Sequence, residues 1–343
     1  MRKYDLSILI PARNEEWVSR TVDDILKNKR GKTEILIGLD GAWAEPGLTD
    51  HPDVRVVYVS ESIGQRAMTN KLARLSTAKY LAKCDAHCAF DEGFDTKLME
   101  AMEDDITIVP VMRNLHVFDW VCQNCGMRTY QGPQPEQCRN EECANDPQSF
   151  ERDVVWIAKS NPQSSAYRFN KNLQFKYFPE LRAKQPKQGL VETMSLQGSF
   201  FMLTREKYWS LNICDESWGS WGQQGSEVAL KTWLSGGRVM CLRDTWYSHL
   251  FRTQHGFSFP YPMSGRDQDK ARKISQDLFL NDTWPQQVRP LSWLLEKFWF
   301  ALKEVRDSEA KWTEQDIKVE AEAPERGIIY YTDNQLRLKI ARA

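Results

Sequence analysis

The chain opens on a short apolar run, Asp5 to Ile10, that predicts a buried strand ended by Pro11. From Trp17 to Leu26 the spacing widens, and Val18, Val22, Ile25 and Leu26 fall on one face of a helix. Glu34 to Leu39 is a second apolar run, stopped by the turn pair Asp40-Gly41, and Val54 to Val59 is a third, short and β-branched. Gly64 to Thr77 predicts a helix, and Tyr80 to Cys84 and Ile106 to Val111 predict two more strands. This alternation implies an α/β domain whose central sheet is mostly parallel, with helices on its faces. Ligands of such sheets sit outside the carboxyl ends of the strands.

At Cys122 the pattern breaks into a Gly/Pro/Gln-rich insert that runs to Cys143. Lys159 to Gly189 follows with seven Lys or Arg against one acid, Glu180, and with Tyr167, Phe169, Phe175, Tyr177 and Phe178 interleaved. Apolar order resumes at Met194 to Leu203, and Val228 to Trp233 predicts a helix ended by Gly236-Gly237. Past Pro262 the chain turns polar, then offers an amphipathic helix, Trp293 to Val305, and a last strand candidate, Gly327 to Tyr331. No internal repeat is visible. The divisions expected are 1–121, 122–150, 151–262 and 263–343, the second a metal-binding insert and the last a short helical extension.

Composition changes this picture little. Hydrophobic residues make up 41% and charged residues 27%, and a net charge of −1 announces no polyanionic partner for the chain as a whole. The N-terminus lacks the apolar core of a signal peptide, and no run approaches the roughly 20 apolar residues that span a bilayer. A cytoplasmic protein of its host cell, with no membrane partner, is the expectation.

Cysteine usage is more informative. Cys122 and Cys125 form one close pair and Cys138 and Cys143 another, twelve residues on. Four thiolates in two pairs fit a structural tetrahedral zinc, a ribbon or knuckle on a loop too polar to build its own core. Cys84, Cys88, Cys214 and Cys241 stand in apolar strand contexts and are expected as small buried hydrophobes.

Asp85-Ala86-His87 follows the strand Tyr80 to Cys84 directly. A carboxylate and an imidazole two residues apart at a strand end can face one cation, though the same triplet also fits a turn with a solvated Asp and a packed His. Its surroundings favour the cation. DAHC at 85–88, HLFRTQHGFSFP at 249–260 and WGQQGSEVALKTWLSGG at 221–237 are joined by PARNEE, ESIGQRAMTNKLA at 61–73 and TIVPVM at 107–112. In their order along the chain and over roughly residues 5–262, outside the cysteine insert, they resemble the catalytic domain of the UDP-GalNAc polypeptide N-acetylgalactosaminyltransferases, within the family-2-like GT-A group.

The resemblance implies a GT-A fold, Rossmann-like with a mostly parallel central sheet, and a glycosyltransferase that takes a hexose from a UDP-sugar. It implies that Asp85, His87 and His249 hold a divalent cation, manganese, between the phosphates. It places Asp40 on the uridine, the backbone of Pro11, Arg13 and Asn14 along the base, and Gly64 and Arg66 near the nucleotide. Arg252 and His255 fall on a loop that closes over UDP, and Trp221 forms a wall of the sugar pocket. His51 and His116 have no such setting.

The chain departs from the family at Gln224, where an acid is usual, while Glu227 survives. An inverting transfer needs a carboxylate base at the acceptor hydroxyl. Either Glu227 supplies it or none is required, which favours retention. Glu227 fits equally well as a carboxylate at the positive end of a helix dipole.

For the acceptor, the zinc insert and the basic, aromatic stretch 159–189 have the composition of a nucleic-acid groove. A small enzyme of this kind resembles the bacteriophage glycosyltransferases, including those associated with TET-type dioxygenases, that decorate hydroxymethylated pyrimidines such as 5-hydroxymethylcytosine. That makes DNA modification the expected activity, on a base exposed from the stack. The alternatives are a transferase acting on a peptide or glycan, and a non-catalytic zinc-stabilised nucleic-acid-binding module. NLQFKYF within the same stretch also resembles the transferases' own segment, which points to packing rather than stacking.

Overall fold

The structure, a computed structural model, describes residues 3–144, 149–160, 164–252, 261, 265–306 and 310–317. The first half alternates as the hydrophobic pattern requires: β1 (Leu6–Ala12), α1 (Val18–Asn28), β2 (Thr33–Asp40), β3 (Val54–Val59), α2 (Gln65–Leu75), β4 (Tyr80–Cys84), β5 (Cys88–Phe90) and α3 (Phe94–Glu100). β1 and β2 are buried at every position, so their near-continuous apolar runs face helices on both sides. Val18, Val22 and Ile25 form the inward stripe of α1. A fully buried Leu or Ile contributes about 1.5–3 kcal/mol, so this layer alone anchors the domain.

The second half adds β6 (Ile106–Cys122), β7 (Arg128–Tyr130), β8 (Phe150–Lys159), β9 (Tyr167–Phe169), β10 (Phe175–Tyr177), α4 (Pro179–Ala183), β11 (Leu190–Glu192), β12 (Phe200–Thr204) and α5 (Arg205–Ser210). A 3-10 turn at Glu216–Trp218 leads to α6 (Gln224–Leu234), β13 (Arg238–His249), α7 (Gly265–Phe279), α8 (Leu291–Leu302) and α9 (Glu314–Ile317). The main sheet runs β11-β13-β6-β12-β4-β1-β2-β3. β3, β2, β1 and β4 are parallel, as are β6 and β13, but β12 lies antiparallel between β4 and β6. The expectation of a mostly parallel sheet therefore holds within each of these two groups, and the sheet as a whole is mixed.

Several elements differ from expectation for identifiable reasons. β1 continues through Pro11 to Ala12, because Pro11 pairs with Gly38 at the last turn of the ladder, where a missing N–H costs a single bond. β6 continues past Val111 to Cys122, because β8 pairs with it from Asn114 onward. α7 escapes the periodicity test because its inward residues are only Ala271, Ser275 and Phe279. Gly327 to Tyr331 lies outside the described residues. Among the described residues no helix is long and apolar enough to cross a membrane.

The aromatic half of the nucleic-acid expectation is corrected here. Tyr167, Phe169 and Phe178 are buried in the main core, and Phe175 and Tyr177 pack against it. Tyr167 meets Phe175 at 5.5 Å between ring centroids, and Trp312 closes on Phe169. These rings have spent their faces on one another, so they form no platform for bases.

Candidate active site

The strand ends set the site. Asp85 and His87 leave β4, and β13 returns antiparallel to β5 with His249 paired to Cys88. That register, together with a hydrogen bond from the Leu250 amide to the His87 carbonyl at 3.1 Å, carries His249 to the side of His87 across 162 residues of chain. The two Nε2 atoms stand 3.1 Å apart, and His249 Nε2 is 3.2 Å from Asp85 Oδ2. One donor atom from each of the three residues lies within 4.8 Å of the others. Two nitrogens and one carboxylate oxygen facing inward at that spacing fit a divalent transition-metal cation and leave positions for phosphate oxygens.

The surrounding groups favour that use. Lys83, itself buried, pairs with Asp85 Oδ1 and donates to the Gly198 carbonyl at 2.9 Å, and Gln65 Nε2 donates to Asp85 Oδ1 at 3.3 Å. Oδ2 is thereby left for the cation. Burial raises the Asp85 carboxyl, but Lys83 and then the two histidines outweigh it and hold it well below the usual carboxylate range. Burial also pushes His249 down to about 4, so its ring is neutral and a lone-pair donor at neutral pH.

Glu15 was missed from the sequence. It sits on the loop after β1, 5% exposed, and accepts from His87 Nδ1 at 2.9 Å, from Arg252 Nη2 at 2.5 Å and from the Trp17 amide at 3.2 Å. A proton held on His87 Nδ1 leaves Nε2 free for a metal, the arrangement in which a carboxylate behind the ring raises its basicity. Burial raises the Glu15 carboxyl, and His87 and Arg252 together bring it below its ordinary value. Its only signal in the sequence is an acid just past the first strand end, in PARNEE.

A cleft of about 320 Å³ opens over this cluster, lined by Pro11, Arg13, Glu15, Asp85, His87, Trp221, His249 and Arg252 among others. A second of about 340 Å³ shares Gln65, Asp85, Gln197 and Trp221 with it and reaches Lys83 and Gln224. Trp221 is thus a wall common to both.

Residues 7–120 match the family model described as Glycosyl transferase family 2. Over that third of the chain it is similar to the family 2 glycosyltransferases. It is 32% identical over 103 residues to the Caenorhabditis elegans protein named Probable N-acetylgalactosaminyltransferase 6, a match covering 29% of this chain and 17% of that one. It is 21% identical over 287 residues to human polypeptide N-acetylgalactosaminyltransferase 6, covering 80% and 42%. A crystal structure of GalNAc-T7 with UDP, GalNAc and Mn2+ superposes with a TM-score of 0.55 at 17% identity, over 81% of this chain and 49% of that one. The fold is GT-A. The chain spans less than half the length of each of these relatives.

The other residues expected at the site have partners of their own in the fold. Asp40, fully buried, accepts from the Ile63 amide at 2.7 Å, and from the Gly64 amide and Ser62 hydroxyl at 3.0 Å each. It fastens the turn between β3 and α2 and does not line the cleft. Gly64 has φ +90°, and a Cβ there would lie 2.7 Å from the Ser220 side chain, so its close approach is to Ser220. Pro11 and Arg13 line the cleft; Asn14, at φ 46°, is a turn residue beside them.

Arg66 and Glu227 meet in the core. Arg66 is 1% exposed and Glu227 fully buried, and they form an ion pair. Lys231 Nζ holds the other Glu227 oxygen at 2.6 Å, with the Asp215 amide at 3.2 Å, while Arg66 also donates to the Gly222 carbonyl at 2.6 Å. The three charges pin the segment before α6 to the domain, and neither Arg66 nor Glu227 lines either cleft. Gln224 does line the second cleft, its Nε2 donating to Cys214 Sγ at 3.0 Å. His255 lies outside the described residues.

The insert brings its four sulfurs together. Cys122 and Cys143 Sγ are 3.8 Å apart and Cys125 and Cys138 Sγ 3.5 Å, with all four within 4.8 Å. These exceed a disulfide bond of about 2.05 Å and match the edge of a zinc–thiolate tetrahedron, about 3.8 Å for a ~2.3 Å Zn–S bond. Gly126, at φ +75°, turns the first knuckle and donates to the Cys122 carbonyl at 2.8 Å, and the Asn140 amide donates to Cys138 Sγ at 3.4 Å.

Proposed function

We propose that this domain transfers a hexose from a UDP-sugar to a hydroxyl acceptor with retention of anomeric configuration, using a divalent cation, manganese, held by Asp85, His87 and His249. The observation that carries the proposal is that His249 Nε2 lies 3.1 Å from His87 Nε2 and 3.2 Å from Asp85 Oδ2, beside a cleft at the strand ends. When bound, the cation supplies charge neutralisation for the diphosphate leaving group. Glu15 fixes His87 from behind, Arg13 and Arg252 add positive charge around the diphosphate, and Trp221 walls the sugar against water. The bond from the anomeric carbon to phosphate breaks as the bond to the acceptor oxygen forms, and the acceptor proton passes to the departing phosphate. Gln224 and the buried Glu227 support this route, because neither offers a carboxylate base to the acceptor. A zinc ion on Cys122, Cys125, Cys138 and Cys143 holds the insert in shape.

For the acceptor, a serine or threonine hydroxyl on a peptide is better supported than a hydroxymethylated DNA base. Relatives bear polypeptide-transferase names, and the rings that suggested nucleic acid are in the core. The experiment is incubation with UDP-GalNAc, UDP-GlcNAc or UDP-glucose and manganese, together with either a Ser/Thr peptide pool or 5-hydroxymethylcytosine DNA, read by mass spectrometry. A hexose or N-acetylhexosamine increment on peptide is expected. Modification of DNA alone would overturn the acceptor, and no UDP release with any pair would overturn the transfer.

A further inference from the structure

The basic residues of stretch 159–189 have a use that its aromatic residues do not. Arg182 and Lys187 line a separate cavity of about 330 Å³ with Arg113 from β6 and Arg243 from β13, and Ser160 and Ser165 add two hydroxyls. Among the described residues no carboxylate lines it. Arg113 pairs with Ser248 in the sheet, so its side chain takes the face opposite to that of the neighbouring His249. The cavity is therefore distinct from the catalytic cleft, with which it shares no lining residue.

Two of the four cations are held in place. The Arg113 guanidinium stacks on the Trp246 ring at 4.4 Å, and Arg243 is fixed by the Pro186 carbonyl and by Gln185 Oε1 at 3.0 Å. Arg182 Nε is buried with no hydrogen-bond partner among the described residues, as is Arg243 Nε. Asp91, the acid that faces Arg113, is already paired with Lys97 at 2.7 Å. Burial pushes Arg113 down from its ordinary value, and at Arg243 burial and then Arg182 do the same. Gathering like charges around a cavity without a counter-charge costs free energy that a bound anion returns, and guanidinium forks match phosphate oxygens in geometry. At this volume the cavity also has room for a small organic substituent on the anion.

We propose that the cavity lined by Arg113, Arg182, Lys187 and Arg243 is a binding site for a phosphate dianion, either free or as a small phosphate monoester. The test is thermal melting of the whole protein, without divalent cations, against inorganic phosphate, glucose 6-phosphate, and sodium chloride at matched ionic strength. A saturable rise in Tm with phosphate and not with chloride is expected, and a greater effect of glucose 6-phosphate than of inorganic phosphate identifies the ester as the source. Arg182→Gln should raise the half-saturating phosphate concentration at least about tenfold through the loss of one charge-assisted contact. Lys187→Gln, at an exposed position, keeps the test open if the arginine variant folds poorly. His249→Ala should retain the phosphate effect in full. Equal responses to chloride and phosphate, an undiminished response in both cavity variants, or its loss in His249→Ala would each overturn the site. None of these outcomes bears on glycosyl transfer.

Discussion

Glu15 Oε2 stands 2.9 Å from His87 Nδ1, on the side of the ring away from His249. The carboxylate therefore sets which nitrogen of His87 carries the proton, and through Arg252 it also joins the cation cluster to the start of the segment after β13.

Replacing that carboxylate should be felt at the cation. Glu15→Gln is expected to weaken manganese binding roughly 10–100-fold, and Glu15→Asp should restore part of it. Titration calorimetry with manganese measures both; wild-type affinity in Glu15→Gln would remove the orienting role.

Glu227→Gln separates a buried ion pair from a catalytic base. Removing one partner of a buried pair costs about 3–5 kcal/mol, so the variant should lose that much in urea denaturation, with Arg66 and Lys231 left uncompensated. Unchanged stability with turnover abolished would instead assign Glu227 to the chemistry.

What the sequence revealed and what it hid divide along physical lines. The first four parallel strands were legible because β1, β2 and β4 are apolar runs buried on both faces and β3, half-exposed at the sheet edge, is a short β-branched run, and Asp85, His87 and His249 were legible because motif order brought them together. α7 was not, since only three of its inward residues mark a face. The rings between 167 and 178 could not be assigned from composition, because an aromatic beside a lysine looks the same whether it stacks on a base or, like Tyr167, is buried in the core. Glu227 stands at its place in a family pattern, but its burial between Arg66 and Lys231 leaves no trace in that pattern, and Glu15 was hidden because a carboxylate behind a ligand has no spacing rule.

The cysteine insert offers an independent check. Cys125→Ser should lower the zinc content from one equivalent per chain and reduce the melting temperature, since the cluster that holds Cys122, Cys138 and Cys143 buried depends on all four sulfurs. Elemental analysis and a melt decide it, and an unchanged pair of values would count against a bound ion.

The most direct measurement is manganese binding in the presence of UDP, comparing the wild-type chain with His249→Ala at constant zinc content. One manganese site that strengthens UDP binding, lost in His249→Ala while the melting temperature stays within a few degrees, is the expected result. The same manganese stoichiometry and affinity in His249→Ala would contradict the shared site of Asp85, His87 and His249.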